Sequence, residues 1–172
     1  ETEIGVQTFL GDLRNELRER AYRPQPVKRC WIDKPGRPDK RPLGVPVVRD
    51  RVCQTACRLV LEPIFETNFD QDSYGFRPGK SAHEAISEIQ RSITFQGYRQ
   101  VVDIDLKSYF DTIDQSILLK LVGRRVSDPR VLQLIRMWLQ AGVMEEGKLR
   151  KQLTGTPQGG CITPQTILQN TA

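Results

Sequence analysis

An α+β domain is the fold class this sequence predicts, and three observations predict it. Apolar residues recur at helical spacing in five separate stretches. Two pairs of short extended pieces are each joined by turn-forming residues. One further apolar run, Val101 to Leu106, alternates with carboxylates. The strands are few and do not alternate regularly with helices, so a parallel doubly wound sheet is not expected.

The helices and strands follow in order. In residues 5–20, Val6, Phe9, Leu10, Leu13 and Leu17 share one face, with Arg14, Arg18 and Arg20 off it. Residues 22–46 are dense in Pro, Gly and charge, which excludes helix over most of them. Extended pieces at 27–33 and 41–48 flank "KPGRPDK", a turn sequence, and predict a hairpin with a basic tip. Residues 50–65 are helical in pattern, with Val52, Ala56, Leu59 and Val60 as the apolar face and Pro63 at the far end. Ser81 and Glu84 form a capping box that opens a helix whose apolar face is Ala82, Ile86, Ile89 and Ile93. Residues 101–106 predict a strand buried on its Val102, Ile104 and Leu106 side. Asp114 caps a helix over 115–125. Asp128-Pro129 opens another, with Val131, Leu132, Ile135, Trp138 and Leu139 inward and Gly142 just past its end. A hairpin around "EEGK" then leads to the Gly-rich turn "TGTPQGGCITP".

Composition narrows the function. The 172 residues suffice for one domain with a real core. At 38% hydrophobic and 27% charged, the chain is globular. No apolar run reaches the length of a membrane span, so no membrane partner is expected. The first residues carry neither the basic nor the apolar region of a secretory signal. Cys30, Cys53, Cys57 and Cys161 form no C-x-x-C pair, and His83 is the single histidine. A zinc site is therefore not expected, Cys53 and Cys57 read as core residues, and free thiols suit a cytoplasmic location. The net charge is +5, and half of the 26 lysines and arginines fall at or before Arg58. Solvated surface explains some of them, but so one-sided a field favours a nucleic acid as partner.

The aspartates in "VVDIDLKSYFDTID" demand a reason. On a strand, Asp103 and Asp105 point away from the apolar side, toward a cleft or solvent. A carboxylate at the end of a buried strand is costly unless it is paired or metal-bound. Beside a surface that binds phosphates, Mg²⁺ suits such a position, because it takes one or two carboxylates together with phosphate oxygens. An arginine partner would serve equally well, and a D-x-D alone does not decide between the two.

Four blocks in order add what the spacing does not. "DIDLKSYFDTID" resembles motif A of reverse transcriptases, and more closely that of the enzymes encoded by group II introns, the maturases. "KRPLGVPVVRDRVCQTACRLVLEPIFE" and "SYGFRPGKSAHEAI" resemble their two fingers blocks, and "TGTPQGGCITP" the block that contains P-Q-G. The resemblance implies a right-hand polymerase fold with fingers and a partial palm, small antiparallel sheets and packed helices. The implied divisions are 1–33 as N-terminal extension, 34–99 fingers, 100–122 palm, 123–160 a return to the fingers, and 161–172 the start of a second palm segment.

The implied activity is RNA-directed DNA synthesis on an RNA template from a DNA primer with deoxynucleotides, together with binding of intron RNA to aid splicing and mobility. The alternative is a non-catalytic RNA-binding module on the same fold. By resemblance, Asp105 and the Leu106 carbonyl hold Mg²⁺, with Asp103 nearby. Lys34 and Arg41 grip the triphosphate, with Arg37 and Lys40 as rivals. Phe110 is the steric gate against a 2′-hydroxyl, and Gln158 lies near the nucleotide sugar and templating base. Arg77 and Pro78 track the template, while Gly159 and Gly160 let backbone approach the nucleic acid. Asp111 is left as a hydrogen-bonding turn residue. The family's second carboxylate box, Y-A-D-D, does not occur in the sequence, so the chain by itself is expected to be inactive. A partly covered palm would also offer apolar surface through which two copies can pair.

Overall fold

The structure, a computed structural model, describes residues 3–36, 38–151, 154–156 and 159–160, with backbone only at residues 3 and 4. In chain order its elements are α1 (Glu3–Arg18), β1 (Val27–Asp33), β2 (Lys40–Val45), α2 (Val48–Glu66), α3 (Ala82–Phe95), α4 (Tyr109–Thr112), α5 (Gln115–Val122), α6 (Pro129–Gln140), β3 (Val143–Glu145) and β4 (Lys148–Arg150). The α+β class and both hairpins are as the sequence predicts.

The sheet departs from expectation in one respect. Instead of two separate antiparallel sheets, the described strands form one mixed sheet in the order β2-β1-β3-β4. β1 pairs antiparallel with β2, from Lys28 opposite Val45 to Asp33 opposite Lys40. β3 and β4 form the second hairpin. The two are joined by a short parallel pairing that sets Val27 beside Val143, and both valines are buried. Parallel neighbours require a long crossover, and the chain from β1 to β3 supplies one through β2 and all the helices from α2 to α6.

The core lies among the helices. Leu13 of α1, Cys53, Leu61 and Phe65 of α2, Leu118 and Val122 of α5, and Ile135, Trp138 and Leu139 of α6 pack together around Tyr22. The phenol of Tyr22 is the polar centre of this core. It donates to Asp50 Oδ1 at 2.7 Å and accepts from the Trp138 indole at 2.9 Å. The other Asp50 oxygen accepts from the Gln25 backbone N–H at 2.8 Å. These bonds satisfy groups that burial would otherwise leave unpaired. Burial pushes the Tyr22 phenol far above the ordinary tyrosine range, and it remains a neutral donor. Burial also raises the thiols of Cys53 and Cys57, the latter to about 11, so both act as small core hydrophobes.

The helix starts follow the sequence. Asp114 accepts from the backbone N–H groups of Ser116 and Ile117. Asp128 accepts from that of Arg130, with Pro129 in the first turn. The Glu84 N–H donates to the Ser81 hydroxyl, which itself donates to the Glu84 carboxylate. That last bond replaces the expected return of the carboxylate to the backbone.

Two helical faces shift. α2 turns Cys53, Leu61 and Phe65 inward and leaves Leu59 and Val60 exposed, and it continues three residues past Pro63. α3 buries no residue, and Ile86, Ile89 and Ile93 are exposed.

The predicted strand over 101–106 is absent. The segment is irregular, pairs with no described strand, and exposes Val101, Val102, Ile104 and Leu106 alike. Alternation marks a segment able to form a strand, but the strand itself exists only when a neighbour completes the ladder.

Candidate nucleotide and nucleic-acid site

The site is assembled from a turn, a glycine-rich loop and one face of a hairpin. The turn comes first. Ser108 stands in the left-handed region at φ 53°, unusual for serine, and opens the single-turn helix α4. The Asp111 N–H closes that turn on the Ser108 carbonyl at 2.9 Å. Tyr109 and Phe110 meet edge to face with ring centroids 5.6 Å apart, and both pack against the helical core.

The loop is fastened to this turn by its backbone. Thr156 N–H donates to the Phe110 carbonyl and Gly155 N–H to the Ile113 carbonyl, each at 2.7 Å. The Gln115 amide donates to the Gly155 carbonyl at 2.9 Å and to the Leu139 carbonyl at 3.2 Å, which ties the loop to the end of α6. Gly155 is obligatory here. At φ +77° a Cβ would stand 2.6 Å from the Asp111 carbonyl oxygen.

The other end of the loop rests on β2. A Cβ on Gly159 would meet the Gly44 carbonyl oxygen at 2.7 Å and Leu43 Cδ1 at 2.9 Å. Leu43 and Arg41 are two apart on β2 and share a face of the hairpin. The loop thus joins the α4 turn to the face of the hairpin that carries Arg41. Among the described residues, Gly155 and Thr156 thus meet the turn that carries Phe110, and Gly159 meets β2, the strand that carries Arg41.

The predicted site residues differ in how they are held. Arg41 is exposed and makes no ion pair among the described residues, so its guanidinium is available to an anion. The Lys34 ammonium is engaged by Asp39, whose carboxyl it holds below the usual aspartate range. Lys40 pairs with Asp33 at 3.2 Å. Exposed pairs of this kind are weak and readily exchanged for a phosphate. Asp105 is exposed, with no hydrogen bond or ion pair among the described residues. Leu106 is exposed beside it, and Asp103 likewise. Among the described residues no three His, Cys, Asp or Glu groups converge as a ready metal cage. Gln158 lies outside the described residues, as does Arg37.

Arg77, expected to track a template, is engaged within its own chain. Its Nε and NH2 donate to Glu66 Oε1 at 3.0 and 2.7 Å, and its NH1 donates to the carbonyls of Asp70 and Ser73 at 2.6 and 2.8 Å. The guanidinium also lies 4.6 Å from the centre of the Phe69 ring. A side chain so fully engaged pins the loop after α2. Gly159 is exposed and lies close to β2 of the same chain, and Gly160 is buried. Asp111 makes no side-chain hydrogen bond among the described residues; its backbone serves the turn instead. Pro78 is exposed.

Sequence reasoning missed two residues. Phe76, beside Arg77, is exposed at a left-handed φ of 56°, an outlier for an aromatic residue. Only the glycines around it hinted at unusual backbone. Gln115 reads as an ordinary first-turn residue, and its bridging role depends on contacts 24 and 40 positions away.

Comparison with known proteins gives the family. The profile of the family described as reverse transcriptase (RNA-dependent DNA polymerase) matches residues 32–169. Protein YkfC of Escherichia coli (strain K12) is 43% identical over 155 residues, covering 88% of this chain and 40% of its own length. The group II intron-encoded protein LtrA of Lactococcus lactis subsp. cremoris is 41% identical over 148 residues, covering 86% of this chain. The chain spans only 24% of LtrA. Among solved structures, a partial Cas6-RT-Cas1–Cas2 complex superposes with a TM-score of 0.60 at 26% identity, over 94% of this chain and 28% of that one. The chain therefore belongs to the reverse transcriptase family, with the group II intron-encoded members among its relatives.

Proposed function

We propose that this chain is the fingers and first palm segment of a group II intron-type reverse transcriptase, with 1–33 as its N-terminal extension. In this reading it binds an RNA template and DNA primer, admits deoxynucleotides, and holds intron RNA. The observation that carries the proposal is that Gly155 and Thr156 bond the turn that carries Phe110, while Gly159 lies against β2, the strand that carries Arg41.

The roles follow from chemistry. Arg41 offers a planar fork to phosphate oxygens, and Lys34 adds a mobile charge once it leaves Asp39. Phe110 is fixed through its own carbonyl and its packing on the core, as a ring that rejects a 2′-hydroxyl must be. Gln158 follows the fastened Thr156 by two residues and would approach the nucleotide from the loop. Asp105 fits a divalent cation, Mg²⁺ for preference: its carboxylate is exposed and unpaired, and Mg²⁺ is content with one or two carboxylates plus phosphate oxygens and water. The Leu106 carbonyl would complete the protein's share. When bound, the cation supplies charge neutralisation on the triphosphate.

Two-metal transfer needs more carboxylates than Asp105 offers. The 172-residue chain alone is expected to give no extension of a DNA primer on an RNA template with Mg²⁺. A longer gene product that joins this chain to the further carboxylates is expected to extend the primer in the same assay. Extension by the chain alone, or none by the longer product, contradicts the proposal.

A further inference from the structure

Three hydrogen bonds hold residues 155 and 156 to the segment 110–115. Two are backbone bonds, from the Thr156 N–H to the Phe110 carbonyl and from the Gly155 N–H to the Ile113 carbonyl. Every residue except proline carries the same backbone groups, so these two do not depend on side-chain identity. The third runs from the Gln115 amide to the Gly155 carbonyl at 2.9 Å. Among the described residues it is the one side-chain bond that the loop receives.

Helix formation does not ask this of Gln115. It opens α5, one residue after Asp114, and Asp114 already satisfies the Ser116 and Ile117 N–H groups. Gln115 is nonetheless half-buried, and its amide nitrogen also donates to the Leu139 carbonyl at 3.2 Å. That nitrogen carries two hydrogens, so both bonds can form at once. The Leu139 carbonyl is among the last four of α6, which lack a partner within the helix. The Gly155 carbonyl belongs to a buried residue, and an acceptor left unpaired there is costly enough to move the loop toward water. The α4 turn would feel that movement. A Cβ on Gly155 would stand 2.6 Å from the Asp111 carbonyl oxygen, and Thr156 is bonded to Phe110.

We infer that Gln115 is a positioning residue for the incoming nucleotide, because its amide fixes where residues 155 and 156 sit against the Phe110 turn. The inference rests on the reading of Phe110 and Gln158 as nucleotide contacts, and it adds a residue that acts through them. A misplaced loop weakens the bound nucleotide and the transition state alike, which raises KM and spares kcat. A residue that only stabilises the fold has the opposite signature: fewer molecules are active, so the apparent kcat falls while KM stays.

The experiment is steady-state primer extension, varying one deoxynucleotide, by a longer gene product that joins this chain to the further carboxylates. Gln115→Met keeps the reach of the side chain and removes the donor. Asp128→Ala is the control, since it weakens the start of α6 and leaves the loop bonds intact. The expected KM is about tenfold higher in Gln115→Met, as for one lost hydrogen bond, with kcat within about twofold of the parent's and the parent's KM in Asp128→Ala. Gln115→Glu has the same shape but sets an oxygen against both carbonyls. It is expected to raise KM at least as far, and it serves in place of the methionine variant should that one not fold. The parent's KM in a folded Gln115 variant, or a fall in kcat alone, would overturn the inference and leave the wider reading standing. An equal rise of KM in Asp128→Ala, or failure of both Gln115 variants to fold, would make Gln115 structural and overturn it as well. No extension by the parent would overturn the reading and the inference together.

Discussion

Phe110 shows how one residue acquires two duties. Its ring packs on the helical core, and its carbonyl receives the Thr156 N–H at 2.7 Å. A core aromatic and a gate would each require a ring that cannot yield. Phe110→Val in the longer gene product is expected to admit ribonucleotides, raising their incorporation relative to deoxynucleotides by about tenfold or more, as for an interaction of 1–3 kcal/mol in a pocket. The measurement is the ratio of kcat/KM for a ribonucleotide and its deoxy counterpart. An unchanged ratio removes Phe110 from the site and leaves it in the core. Asp105 and Arg41 can be named as candidates from the sequence because carboxylates and guanidinium groups carry chemistry wherever they stand. Arg77 can be named for the same reason. Its charge is visible in the sequence, whereas its four hydrogen bonds to Glu66, Asp70 and Ser73 exist only once the loop has folded.

At the scale of the element, what is local was legible and what is shared was not. Helix caps are local. Asp114 and Asp128 were identified from a few neighbouring residues, and both cap their helices. Asp128→Ala is expected to cost about 1 kcal/mol, measured by denaturant unfolding, because it strips an acceptor from the first turn of α6. At Asp114 the Ser116 hydroxyl, with the Ile117 and Ser116 N–H groups, holds the carboxyl below the usual aspartate range. A lowered carboxylate stabilises the fold above its unfolded pKa of about 3.9, and that contribution is lost as pH falls through the folded value. Asp114→Asn keeps an acceptor but cannot titrate. The acid-induced shift of the Ser116 and Ile117 amide resonances is therefore expected to vanish in that variant. If it persists, another group drives it. The strand over 101–106 failed for the opposite reason: its pattern is local, but its existence depends on a partner in the ladder. α2 is intermediate, since its helical period was plain while the face turned inward was fixed by α5, α6 and Tyr22.

For the whole molecule, the sheet and the loop convert separate motifs into one arrangement. The parallel pairing of Val27 with Val143 unites the hairpins, and Gln115 ties the loop to α6. Neither contact has a signature in the sequence, because each joins positions far apart that carry no motif. Gly155 and Thr156 bond the Phe110 turn, and Gly159 lies against β2. Asp105 stands in the irregular segment just before that turn, exposed and without an ion pair among the described residues. The account therefore turns on this carboxylate. Primer extension by the longer gene product, compared with its Asp105→Asn variant at equal RNA binding, tests it most directly. The account predicts a loss of at least about 10²-fold in rate, the scale of removing one group that stabilises charge in the transition state, with RNA affinity unchanged. Extension by Asp105→Asn at the parent's rate would contradict it.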